Sequence, residues 1–476
     1  MSYFRRRLSC FMLLATTCFL TACTTADGGA RYYSDATTPE GELLGDYLAG
    51  RYAYHIDDSA ARLKYYQSAF ERAPDSAALG AKAVNAAISA GDGPLARTLA
   101  KRVLAVQSDE ALSRLVLSAQ SISGGKYSAA AQRLHDQPED PSLGVMMAMM
   151  EGWALYGAGE SDKAIEVFNA IEVGGYFDVV ATLQKAQIYA ASGDESQAKA
   201  GFDLVEKTGV SPISMALAKA RYLSNKGDFA SALSFLKAFD EDTLGGVESG
   251  PVRTALDALE AGNRPSGKLN AAQLASSSLV DPAGEFFYQQ RAYDAAEMYL
   301  RTALMMDPKN QRARLWLAAT LERMERTQDA QKIYKEIPKD SDYYVSATLS
   351  YANLLSRDDQ DAKSTAVLKS LNKSHPTFLT RQAIGLSYLI AEDYEKALPY
   401  FDTMVKSMSE AELKDNPQPL YHRGICLEQA GRWQEAVSDF KRVLEVNPES
   451  ADTLNYLGYT WVDKGENLTE AFEMIR

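Results

Sequence analysis

Between Pro419 and Pro448 the chain reads PLYHRGICLEQAGRWQEAVSDFKRVLEVNP. Small and apolar residues recur three and four places apart on both sides of the break AGR. That period predicts two amphipathic helices, here called A and B, joined by a tight turn. Gly424, Ala436, Phe440 and Pro448 mark the segment at intervals of 12, 4 and 8 residues. A small residue in helix A lets helix B approach closely. Alanine and phenylalanine four apart share one face of helix B, and proline ends it.

The same phase extends along the chain. Gly50, Val84, Ser118, Gly152, Ala186 and Ala220 follow one another at 34-residue intervals. Their helix B markers are Tyr66 with Pro74, Ala96, Ala130, Ala164 with Phe168, Ala198 with Phe202, and Ala232 with Leu236. Register is lost over 247–276, where TLGGVESGP and GNRPSGKLN flank the short helical pattern TALDALEAG. This stretch reads as an irregular insertion or hinge. The pattern resumes with Gly284, Ala296, Ala303 and Pro308, and continues through Ala318 with Ala330 and Tyr334, and Ser350 with Ala362. It ends with Gly385, Ala397 and Phe401, then Gly424, then Gly458. In the last unit one extra residue in KGEN moves the helix B alanine to Ala471 and puts Ile475 at the phenylalanine position. No alternation long enough for a strand competes with this period.

The spacing of small residue, A-x3-F and closing proline resembles the tetratricopeptide repeat. The resemblance implies an all-α fold, an α-solenoid or superhelix of about twelve helix pairs interrupted once. An N-terminal array of six units would occupy 43–246, the insertion 247–276, and a C-terminal array with an incomplete last unit 277–476. Because the last unit breaks off before its closing proline and no polar capping helix follows, the native chain is expected to continue beyond Arg476. The resemblance further implies a protein-binding groove lined by A helices. Its candidate residues are Tyr47, Arg51 and Tyr54 in the first unit, Met149, Trp153 and Tyr156 in the fourth, and Arg221 and Asn225 in the sixth. The fourth A helix, GVMMAMMEGWALY, is rich in methionine and aromatic residues. Such residues suit adaptable binding surfaces, and equally suit a helix buried on both sides.

Composition refines the picture. Apolar residues make up 46% and charged residues 24%, the balance of a folded chain. The net charge of −13, without a basic patch, argues against nucleic acid as a partner. At the N-terminus Arg5, Arg6 and Arg7 precede an apolar run that closes in Leu20-Thr21-Ala22-Cys23. This resembles the signal peptide and lipobox of bacterial lipoproteins, which implies cleavage after residue 22, lipidation of Cys23, and a flexible tether over 23–42. Thr24 after the cysteine points to the outer membrane, with the body facing the periplasm. Loss of the three arginines takes the charge from −13 to −16. Cys10 and Cys18 leave with the signal, so Cys426 alone remains and no disulfide supports the fold.

No nucleophile elbow, phosphate-binding loop or zinc-protease motif occurs in the sequence, so no catalytic residue, metal site or cofactor is assigned. His422 and Cys426 share a helical face, two ligands where a metal needs more. The expected function is a lipid-anchored scaffold that binds other envelope proteins or peptides, serving assembly, secretion, pilus or polysaccharide-export machinery. The alternatives are a regulatory adaptor of an envelope enzyme such as a peptidoglycan hydrolase, and, less favoured, an enzyme.

Overall fold

The computed structural model describes residues 38–476 except 137, 139, 172–173, 211, 244–248 and 266–268. The expected signal peptide, Cys23 and most of the tether lie outside the described residues. Two compact units are present, Met1–Pro74 and Asp75–Arg476.

In the first unit, α1 (Pro39–His55) and α2 (Ser59–Arg72) form one antiparallel pair. Asp46 accepts from both Ser68 (2.6 Å) and Arg72 (2.9 Å), tying the two helices together. Burial raises the Asp46 carboxyl, but the hydrogen bonds from Ser68 and Arg72 and the charge of Arg72 hold it below its usual value.

The second unit begins with five further pairs. These are α3 (Ala77–Ser89) with α4 (Gly93–Val106), α5 (Ala111–Ser123) with α6 (Tyr127–Leu134), α7 (Pro141–Gly157) with α8 (Ser161–Asn169), α9 (Tyr176–Ser192) with α10 (Glu195–Lys207), and α11 (Ile213–Asn225) with α12 (Phe229–Thr243). Helix α13 (Ser249–Glu260) closes this run, setting Val252, Ala255 and Leu259 against Ile213, Ala220 and Leu236. Next come α14 (Ala271–Asp281), a π-helical turn (Pro282–Phe287) and α15 (Tyr293–Met306). The later pairs are α16 (Gln311–Arg323) with α17 (Thr327–Lys335), α18 (Tyr344–Arg357) with α19 (Asp361–Ser374), and α20 (Phe378–Ile390) with α21 (Tyr394–Ser407). A short α22 (Glu410–Asp415) precedes α23 (Gln418–Gln429) with α24 (Trp433–Val446) and α25 (Ala451–Lys464) with α26 (Leu468–Ile475). Counting α14 with α15, the described residues hold twelve pairs and no strand. The protein is an all-α solenoid.

The turn inside each pair is the most regular feature. A residue with positive φ sits there at Asp57, Gly91, Gly125, Gly159, Gly193 and Gly227, each 34 places after the last, and again at Arg291, Glu325 and Asp359. At Gly91 the following amide of Asp92 donates back to Ala87 O at 2.9 Å, and Asp194 donates to Tyr189 O in the same way. This left-handed stop satisfies the last carbonyls of helix A, and the next residue caps helix B, as Asp92 and Asp194 do.

Close approach within a pair also follows the expected spacing. A Cβ at Gly50 would meet the Tyr66 ring at 2.8 Å, one at Gly385 the Phe401 ring at 2.8 Å, and one at Gly424 the Phe440 ring at 2.7 Å. Gly152 faces Phe168 in the same manner, and Gly458 meets Ile475. Ala164, Ala186, Ala198, Phe202, Ala296, Ala397 and Ala436 are all buried, while Pro308 and Pro448 lie in the links that follow B helices. Gly284 departs from the pattern. It lies in the π-helical turn and faces the Trp316 ring at 2.7 Å, because the wider turn rotates it toward α16 rather than α15.

Within the stretch 247–276, the helical pattern TALDALEAG falls in α13 as far as Glu260, and α14 begins at Ala271. From Asp75 onward, the pairs before and after this stretch belong to one unit. The reason is that α14 and α15 pack across the A helices α3, α5 and α7 of the preceding array. Tyr299 Oη donates to Ser142 O at 2.6 Å, and Ala271 lies so close to Gly157 that a Cβ there would sit 2.8 Å from its methyl. Burial and the nearby Asp140 push the Tyr299 hydroxyl far above its ordinary value, so it stays a neutral donor. Buried Glu297 pairs with Arg301 (2.9 Å) and Arg326 (2.8 Å), and Arg326 also donates to Ser89 O at 3.1 Å.

Gly424→Ala should force the Phe440 ring to shift and lower stability by about 1–3 kcal/mol. A second change, Phe440→Leu, should recover part of that loss in urea unfolding. Equal midpoints for Gly424→Ala and the parent would show that the close approach is not required.

Candidate partner-binding surface

The packing of α14 and α15 decides what happens to the groove. Helix α7 is covered by α8 on one side and by α14 on the other. Met149 (0 % exposed) and Trp153 (1 % exposed) are therefore core residues, against the expectation that they form a binding patch. Trp153 packs edge-on to Phe168 at 6.0 Å, and its indole N–H donates to Gln184 at 3.1 Å. A buried Trp needs such an acceptor, and Gln184 is itself anchored by donating to Val180 O. The methionine-rich composition thus records burial on both sides. Sequence reasoning missed this because the covering helix comes from more than a hundred residues away.

Tyr156 escapes that burial. It stands edge-on to Trp153 at 5.4 Å and turns outward at the end of α7. With Arg221 and Asn225 it lines a cavity of about 840 Å³ between the ends of α7, α9 and α11 and the segment that leads into α14. A smaller cavity of about 360 Å³ adjoins it, bounded by α9, α11, α14 and the start of α16. Arg221, Gln187, Leu269 and Leu274 belong to both. Three of the eight expected groove residues thus meet at one opening, and their neighbours Leu269 and Leu274 come from a segment outside the repeat pattern.

Several charges around this opening are paired among the described residues. Lys226 binds Glu195 at 2.7 Å and lies 5.6 Å from the Tyr222 ring, and Tyr222 donates to Glu195 O. Asp281 is held by Ser214 and Arg312. Arg221 is half-buried, and its guanidinium has no hydrogen-bond or ion-pair partner among the described residues. Burial alone acts on it, pushing it below its ordinary value. Exposed Arg264 on the rim of the larger cavity is likewise unpaired among the described residues.

Tyr47, Arg51 and Tyr54 lie on α1 in the other unit. Tyr47 leans on Tyr66 at 6.4 Å, Arg51 is exposed, and Tyr54 carries the Arg62 guanidinium over its ring at 5.3 Å. These three residues belong to the compact unit Met1–Pro74.

For chemistry there is little material. No group of three or more metal-ligating side chains occurs among the described residues. Cys426 is fully buried and its thiol is pushed up to about 12, so it stays protonated and is a poor nucleophile. His422 on the same helix is held below its ordinary value by burial.

Sequence profiles of the tetratricopeptide repeat match residues 287–343 and 417–450. The chain carries tetratricopeptide repeats. No curated protein sequence matches it. Among solved structures, the APC/C hetero-tetramer Cut9–Hcn1 is similar at 14% identity and a TM-score of 0.33, covering 92% of this chain and 94% of that one. The tetratricopeptide domain of P58(IPK) is similar at 15% identity and a TM-score of 0.23, covering 83% and 99%. MamA MSR-1 C2 is similar at 17% identity and a TM-score of 0.29, covering 34% and 95%. Scores this low carry no functional argument. The repeats themselves point to a protein-interaction scaffold.

Trp153→Ala should cost about 3–5 kcal/mol and lower the melting temperature clearly. Asn225→Ala, at the exposed rim, should stay within about 0.5 kcal/mol. Similar melting curves for both variants would contradict the core placement of Trp153.

Proposed function

We propose that the protein is a lipid-anchored tetratricopeptide scaffold of a bacterial envelope, held by Cys23 at the outer membrane with its helical body in the periplasm. It gathers protein partners of an assembly, secretion, pilus or polysaccharide-export machine. The observation that carries the scaffold reading is the opening between α9 and α11. There Tyr156, Arg221 and Asn225, three residues that the repeat pattern assigns to the binding face, remain accessible, whereas Met149 and Trp153 on α7 are buried beneath α14. An aromatic ring, an arginine and a carboxamide around one recess are the side chains that dominate protein-interface energetics. The envelope reading rests on the sequence from Arg5 to Cys23. Two or three acyl chains on such a cysteine give a durable anchor, where one would not.

Two measurements test the proposal. Cys23→Ser should move the protein from the membrane pellet to the soluble periplasmic fraction, and a variant that still pellets would refute the anchor. A photo-crosslinking residue at Asn225 should give discrete heterologous adducts in intact cells, while the same probe at Lys207 on α10 should give none. Indistinguishable patterns at the two positions would remove the α9–α11 opening as the docking site.

A further inference from the structure

A separate recess of about 660 Å³ lies between the B helices α6 and α8. It shares no lining residue with the α9–α11 opening, and its walls are outside the groove that the repeat pattern assigns to A helices. Ala148, Glu151 and Leu155, three and four places apart, put one face of α7 at its floor. Glu151 is only 4% exposed. Its Oε1 stands 3.0 Å from Nδ1 of His135, which follows the end of α6 and has a side chain 79% exposed. A carboxylate drawn this far from water needs a donor or a positive charge beside it. The hydrogen bond to Glu151, and then the charge of Glu151, raise the His135 imidazole above its ordinary value, so the floor favours a cation. The other charges on the walls are Glu160, Lys163 and Glu166, and Lys163 already binds Glu160.

We infer that the α6–α8 recess receives one basic side chain of a partner polypeptide, whose cation displaces the His135 imidazole and pairs with the Glu151 carboxylate. Lysine and arginine keep their charge at every physiological pH, whereas an imidazole holds its charge only in part. The imidazole is free to swing outward, because most of its surface already faces water. The methylene stem of the incoming side chain then lies against Ala148, Leu155 and Val167. Glu166, exposed on α8, adds a second negative charge at the mouth. An acidic group would instead meet three carboxylates and one lysine already engaged. The volume exceeds that of one side chain and leaves room for an apolar neighbour on the partner, which Ala131 and Ile171 would cover. The net charge of −13 draws basic segments toward such a site.

The test is isothermal titration of the full chain with five probes. These are acetyl-Leu-Lys-Leu-amide and its norleucine counterpart, acetyl-Leu-Arg-Leu-amide and its citrulline counterpart, and spermidine. At least one basic peptide should bind at least about tenfold more tightly than its neutral counterpart. Glu151→Gln, which keeps the shape and removes the charge, should abolish that preference. Glu166→Gln, an exposed change, should weaken it by about two- to threefold. Glu449→Gln makes the same charge change in the link after α24 and should leave it unaltered. His135→Ala removes the competing group and should tighten binding of the basic peptide by about threefold or more. Melting curves check that Glu151→Gln folds, and Glu166→Gln with His135→Ala decides the matter if it does not. Equal binding of charged and neutral peptides, or a preference unchanged in Glu151→Gln, would overturn the site. Unchanged or weaker binding in His135→Ala would overturn the displacement, and spermidine binding as tightly as the peptide would overturn a polypeptide as the source.

Discussion

The seating of α14 and α15 across the A helices of the preceding array is the constraint on which the unit Asp75–Arg476 depends. A tetratricopeptide pair exposes an apolar A-helix face that a ligand or the next surface must cover. Here the chain covers much of it from within. The Tyr299 hydroxyl on Ser142 O and the Arg326 guanidinium on Ser89 O hold the seat. Glu297 makes the burial of Arg301 and Arg326 tolerable, since two cations brought together without it would repel. The α9–α11 opening is bounded by the same segment that leads into α14, so the seating of α14 sets where that opening lies.

Much of the architecture was legible in the sequence because repeat phase is a local property. The pairing of Gly424 with Phe440, and the shift of the last contact to Ile475 by one inserted residue, depend on spacing within a single unit. The left-handed turn residues carry the same 34-residue period and were a further signal, partly hidden because Asp57, Arg291, Glu325 and Asp359 stand where other units have glycine. What stayed illegible was non-local. Nothing within Pro141–Gly157 distinguishes a methionine-rich helix awaiting a partner from one already covered by a helix encoded far downstream. The π-helical turn at Pro282–Phe287 likewise altered the partner of Gly284 without a mark in the spacing. Phase alone places Arg221 and Asn225 on one face of helix A, but that they meet Tyr156 at one opening could be seen only once their neighbours were in position.

The hydrogen bond from Arg326 to Ser89 O joins residues 237 positions apart. Arrays of stacked repeats ordinarily fold as one-dimensional chains, each unit stabilised by its two neighbours and able to fray from either end. A clasp of that span turns the line into a loop. The entropy of closing it grows only with the logarithm of its length, so the added cost is modest, but it falls on a contact that cannot form until both arrays exist. The consequence is a change in cooperativity. The units between α3 and α17 should lose their structure together, while the pairs from α18 onward keep the graded, end-first melting of an ordinary solenoid.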